Sequence, residues 1–131
     1  VDLILEKGIP GRTYNIGGTN EWANIDIVHL ICDLLLEQFS TDKRLADRFA
    51  DSPAAQAKHP DILISHVKDR AGHDRRYAIN TTKIKNDLGF LPEESFESGI
   101  RKTLRWFLDH QPWWNDLLND SYKAWLATNY S

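Results

Sequence analysis

With 131 residues, 41% of them hydrophobic and 27% charged, the chain can bury one core and is too short for two. A formal net charge of −3 argues against a nucleic-acid binder, because phosphate backbones are met by an excess of Lys and Arg. Cys32 is the single cysteine, so no internal disulfide can form. The longest apolar stretch, Ile31 to Leu36, is broken by Asp33 and falls far short of the roughly 20 apolar residues of a membrane span. A soluble protein of a reducing cytoplasm is expected, with neither membrane nor nucleic acid as a partner.

Val1 to Gly8 reads as the last turns of a helix, with Lys7 near its C-terminus and Gly8 in the left-handed stop position. A helix that begins uncapped at residue 1, in a chain without Met, is expected of a piece excised from a longer protein. Arg12 to Ile16 is short, β-prone and closed by Gly17-Gly18, the pattern of a strand entering a turn. Ile25, Ile27, Val28, Leu30, Ile31, Leu34 and Leu35 then recur at helical spacing, with Asn24 as N-cap and Asp26 favouring the first turn. Residues 40–60 are polar and Ala-rich and read as a mobile insertion holding one short amphipathic helix around Leu45 and Phe49.

Ile62 to Val67 is the second expected strand, Asp69 to Arg76 a charged loop centred on Gly72, and Tyr77 to Ile79 a third extended piece. Asn80 caps a helix over Thr81 to Leu88, which Gly89 ends and Pro92 keeps from continuing. Ser95 opens a further helix through Leu108, and Pro112 separates it from a last helical stretch with Leu117, Leu118, Trp125 and Leu126. The expected class is α/β, or α+β for the isolated piece: a few short strands with several helices. Three such strands make a poor sheet alone and are expected to extend something larger. Trp106, Trp113, Trp114 and Trp125 are read first as core and second as an interface with a missing domain.

Few residues carry chemistry on their own. Cys32 lies in a helix and reads as core, and His59, His66 and His73 lack partners at metal-ligand spacing, so no metal site is expected. Gly17-Gly18-Thr19-Asn20 lacks the G-x-G-x-x-G spacing that brings a helix N-terminus to a pyrophosphate, so no cofactor-binding residues are assigned. The loop from Asp69 to Arg76 is the strongest candidate. Glycine permits a close turn, three arginines offer forked donors for a diphosphate, and His73 can meet a sugar hydroxyl. From composition alone, a solvated loop with internal Asp–Arg pairs is the better reading. The helix opening at Asn24 offers free N–H groups to an anion, although alone Asn24 is simply a cap.

The stretches TYNIGGTNE (13–21), NID (24–26), DRAGHDRRYAI (69–79) and FESGIRKT (96–103) closely resemble, in this order, the C-terminal part of dTDP-glucose 4,6-dehydratases, members of the extended short-chain dehydrogenase/reductases. YNIGG also occurs in related epimerases and decarboxylases, whereas the DRAGHDRRYAI and FESGIRKT stretches are specific to this group. The resemblance implies that residues 1–131 form a small substrate-binding lobe, and that an N-terminal Rossmann domain holding NAD is absent from this chain. It also implies a parent enzyme, a homodimeric lyase that converts dTDP-glucose to dTDP-4-keto-6-deoxyglucose. In that family a Tyr-x-x-x-Lys pair, a Thr or Ser and an Asp-Glu pair do the chemistry. None of the tyrosines here is followed by Lys at that spacing (Gly18 follows Tyr14, Thr81 follows Tyr77 and Leu126 follows Tyr122), and no Asp-Glu dipeptide occurs. No catalytic residue is therefore expected, and the chain alone should be inactive and monomeric.

Position by position, the resemblance implies that Asn24 contacts the nucleotide, Arg70 the diphosphate and His73 the nucleotide sugar. Asp69, Ala71 and Gly72 complete the binding loop, and Tyr130 approaches the substrate. Ala71 stands where the family often has proline, and the 40–60 segment is a further departure. Two alternatives stand beside this reading: the matching part of a related nucleotide-sugar epimerase or decarboxylase, and a non-catalytic interaction module with an exposed aromatic face.

Overall fold

Asp42 joins two helices and sits where three of them meet. It ends the long helix α2 (Asn24–Thr41), and its side chain accepts from the Arg44 amide at 3.1 Å to cap α3 (Lys43–Arg48). Among the described residues the other helices are α1 (Asp2–Lys7), α4 (Thr82–Leu88), α5 (Phe96–Asp109), α6 (Gln111–Asn115) and α7 (Asp120–Tyr130), with one 3-10 turn at Pro60–Leu63. The computed structural model describes residues 1–18, 20–67, 72, 77–118 and 120–130, with Asn129 and Tyr130 described by backbone alone.

The turn at Asp42 folds α3 back so that Leu45, only 2% exposed, meets Phe39 from α2, Leu108 from α5 and Ala54. Leu35, Phe49 and Leu104 pack around this cluster. Segment 40–60 thus supplies two of the four buried residues at the centre of the core, and α2 runs six residues beyond Leu35 because Phe39 must reach that core. A polar shell closes over it. Arg105 on α5 donates to Asp42 at 3.1 Å and to Asp109 at 2.8 Å, while Arg48 donates to the Leu108 carbonyl at the end of α5, where a cation complements the helix dipole. Gln38 is 9% exposed, and its Nε2 has no hydrogen-bond partner among the described residues.

A second layer lies at the other end. α1 packs on α4, which buries Ile84 and Leu88, and Gly89 ends α4 in the left-handed conformation. Gly8, expected to do the same for α1, is instead extended at φ −67° and ψ 145°. Asn80 accepts from the Thr82 amide at 2.9 Å, and Ser95 caps α5 by accepting from the Ser98 amide at 3.1 Å.

The expected α/β class is not what forms: no strand occurs among the described residues, and the regular structure is helical. A strand requires its backbone groups to pair along a neighbour. Residues 12–17 and 77–81 do lie side by side, but side chains make the junction. Asn15 Nδ2 donates to the Asn80 carbonyl at 3.2 Å, and Lys83 Nζ donates to the Thr13 carbonyl at 2.8 Å while standing 5.0 Å from the centre of the Tyr14 ring. Ile62 and Leu63 are diverted because Pro60, with its fixed φ, starts the 3-10 turn that takes them in. Their β-prone composition finds no partner strand to pair with.

None of the four tryptophans joins the buried core: Trp114 is half-buried, stacks on Phe49 and donates its indole N–H to the Phe107 carbonyl at 2.7 Å. Trp106, Trp113 and Trp125 are 42%, 55% and 52% exposed. Phe107, Trp113, Trp114, Leu117, Leu118 and Tyr122 line an open apolar groove of about 500 Å³.

Three outcomes follow from this packing. Leu45→Ala should cost about 2–5 kcal/mol in urea unfolding, as a truncation in a close-packed site does, whereas Leu63→Ala, at a position 68% exposed, should stay within about 0.5 kcal/mol. A Cβ on Gly17 would stand 2.6 Å from the Ile79 Cγ2, so Gly17→Ala should destabilise by about 1–3 kcal/mol. Ile79→Ala in the same chain should relieve part of that loss, which a double-mutant cycle would register as coupling. Asp42 is held down to about 2, from an ordinary value of 3.8, by its bonds to Arg44 and then Arg105. A carboxylate with a lowered folded pKa stabilises above its unfolded value and loses that contribution as pH falls through the folded one. The stability gap between the protein and Asp42→Asn should therefore be full above about pH 5 and shrink as pH falls toward 2 in denaturant titrations.

Candidate functional site

The N-terminal end of α2 is the best-defined part of the candidate site. Ala23, extended at φ −68° and ψ 145°, is the N-cap, and Asn24 is the first helical residue; the sequence had Asn24 as the cap. No side chain of the described residues caps this end; the Asp26 and Ile27 amides bond back to the Ala23 carbonyl at 3.1 and 3.2 Å, which leaves the amides of Asn24 and Ile25 outside the helix's own bonding, with the Asp26 carboxylate alongside. Asn24 is exposed. The position is fixed from behind: Trp22 stacks on Phe96, the first residue of α5, with centroids 5.0 Å apart and planes at 27°. The starts of α2 and α5 are thereby held together.

The second part is the exit of the charged loop. Residues 77–81 dock on 12–17 through the Asn15, Lys83 and Gly17–Ile79 contacts, and 12–17 is the segment that leads into Asn24. The first and third of the four motifs thus touch, which sequence order alone did not reveal. Gly72 has φ +73°, a backbone conformation that side chains rarely adopt, and it is exposed with open space around its Cα. The loop was expected to turn at this glycine.

Asp69, Arg70, Ala71 and His73 lie outside the described residues, as do Asp74, Arg75 and Arg76. Tyr130 is the last residue of α7, and its side chain too lies outside what is described. Of the seven expected site residues, the structure therefore places Asn24 and Gly72 in full and the backbone of Tyr130.

Other titratable groups gather elsewhere. Cys32 is 6% exposed, and burial, with Asp61 and Asp33 nearby, pushes its thiol up, the opposite of what a nucleophile needs. His59 sits between Asp33 at 2.9 Å and Asp61 at 3.0 Å, both of which raise its pKa above the ordinary 6.5. At metal-ligand spacing the sequence offers His59 no cysteine or acidic partner. Asp33 lies 26 residues away and is brought in by the packing of the 3-10 turn on α2.

The comparisons agree with the motifs. The chain is 49% identical over 120 residues to a dTDP-glucose 4,6-dehydratase of Neisseria meningitidis serogroup B, covering 92% of this chain and 31% of the relative. A dTDP-glucose 4,6-dehydratase of Escherichia coli is 46% identical over 119 residues, covering 91% of this chain and 30% of the relative. For dTDP-glucose 4,6-dehydratase 1 of Escherichia coli K12 the identity is 42% over 127 residues, or 97% of this chain and 31% of the relative. The chain thus spans about a third of the length of these relatives. Residues 1–103 match the family model described as GDP-mannose 4,6 dehydratase, and the chain belongs to that family.

Proposed function

We propose that this chain is the C-terminal, nucleotide-sugar-binding part of a dTDP-glucose 4,6-dehydratase, a cytoplasmic lyase of the extended short-chain dehydrogenase/reductases that works as a homodimer. The observation that carries the reading is 42–49% identity across nearly the whole chain to proteins of that name, together with the DRAGHDRRYAI and FESGIRKT stretches. In this reading Arg70 grips the diphosphate with its forked donors, His73 faces the sugar, and Asp69, Ala71 and Gly72 shape the loop between them. Asn24 meets the nucleotide at the open start of α2, where outward N–H groups favour an acceptor-rich ligand. Tyr130 closes on the substrate from the end of α7.

NAD, which supplies hydride chemistry in such an enzyme, does not fit the residues present. α2 begins at Asn24, seven residues after Gly17, so no helix opens from the glycine turn to meet a pyrophosphate. The nicotinamide cofactor belongs to the N-terminal domain in this reading, and so do the groups that remove and return protons. The 131-residue chain on its own is inactive.

The test uses the full-length enzyme. Arg70→Ala removes charge-assisted hydrogen bonds worth about 1.5–3 kcal/mol, so KM for dTDP-glucose should rise roughly 10- to 150-fold with a much smaller change in kcat. The purified 131-residue chain should show no turnover. An unchanged KM would remove Arg70 from the site. Turnover of GDP-mannose in preference to dTDP-glucose would transfer the substrate assignment to the sugar named by the matching family model.

A further inference from the structure

His59 stands at the junction of α2 with the 3-10 turn, and its two ring nitrogens serve different elements. Nε2 lies 2.9 Å from Asp33 Oδ1 on α2, and Nδ1 lies 3.0 Å from Asp61 Oδ1 in the turn, so the imidazole bridges the two. The Asp61 amide also points at Nδ1, at 3.4 Å. One nitrogen cannot donate to the Asp61 carboxylate and accept from the Asp61 amide at once. These contacts are the endpoints of two protonation states.

We propose that His59 is a proton-operated latch, in which the imidazolium cross-links α2 to the 3-10 turn and its loss of a proton loosens residues 59–67 from the helix. In the charged form both nitrogens donate to carboxylates. In the neutral form Nε2–H keeps Asp33, now without the assistance of a ring charge, while Nδ1 turns acceptor and takes the Asp61 amide. The Asp61 carboxylate then faces a lone pair and must swing away.

The surroundings favour the charged form. α2 contributes Asp33 and, beside it, the buried Cys32 thiol, and the turn contributes Asp61. Lys58, which directly precedes the histidine in sequence, donates to the Gln56 side-chain oxygen at 3.1 Å. Asp33 first, then Asp61, raise the His59 pKa above 6.5. The sign follows: a raised folded pKa gives a contribution fully present below the unfolded value and lost as pH rises through the folded one. Pro60, buried directly after the histidine, makes the turn a stiff lever on which this exchange acts. The inference stands on the latch geometry and does not depend on the binding role proposed for the loop downstream.

The experiment follows histidine 13Cε1 signals in the full-length protein from pH 5.5 to 8.5, with hydrogen exchange of residues 59–67 corrected for its intrinsic pH dependence. Asp33 is an exposed position, so Asp33→Asn should fold and identify His59 as the signal whose midpoint it lowers. In the unaltered protein that signal should titrate above 6.5, and protection of residues 59–67 should fall severalfold across the same pH window. In Asp33→Asn the loss of protection should move to lower pH with the midpoint. A His59 midpoint at or below 6.5, or protection that does not change with pH, overturns the latch.

Discussion

Everything in the helical body depends on where the chain reverses after α2, and Asp42 decides this. An aspartate there ends one helix, caps the next through the Arg44 amide, and meets Arg105 from α5, so three elements converge on one carboxylate. Its ion pairs add a pH-dependent contribution, but they are not what drives the packing. What Asp42 contributes is direction. With α3 turned back at this angle, Leu45 falls between Phe39 and Leu108, and the apolar surface removed from water there drives the packing.

The same logic explains the second layer, where no sheet forms. Gly17 lies against Ile79 so closely that any side chain on it would collide, and Asn15 and Lys83 fix the two extended segments by bonds to backbone carbonyls. Side chains set this contact, so it needs no strand register. β-branched residues bounded by glycine and proline predict strands. β-propensity, however, describes fitness for a pleated surface and cannot supply the neighbour that makes one.

The helices were legible because their signals are local. The spacing of Ile27, Leu30, Ile31 and Leu34, the Ser95 cap and the Gly89 stop lie within a few residues of the elements they control. Leu45 and Phe49 at four-residue spacing gave the short helix inside 40–60, yet nothing local showed that this polar, alanine-rich stretch would enter the core. Two small residues there, Ala54 and Ala55, belong to or pack on the buried cluster, and small size carries no periodic signal. The motifs themselves were legible only by resemblance. Composition favoured an ordinary solvated loop for 69–76, and the meeting of Asn15 with Asn80, 65 positions apart, belongs to tertiary structure.

The arrangement also gives a physical reason for where the proposed binding residues sit. Loops carry recognition well only if their ends are fixed, since ordering a free loop on a ligand costs conformational entropy for each residue held. Here Trp22 against Phe96 holds the approach to Asn24, and the Gly17–Ile79 junction holds the exit of the 69–76 loop. The two anchors share one short piece of chain, residues 12–22, so a ligand bound by both Asn24 and the loop would act on segments already tied together. A binding half-site built this way needs no sheet of its own. It needs rigid helices behind it, and the α2–α3–α5 core provides them.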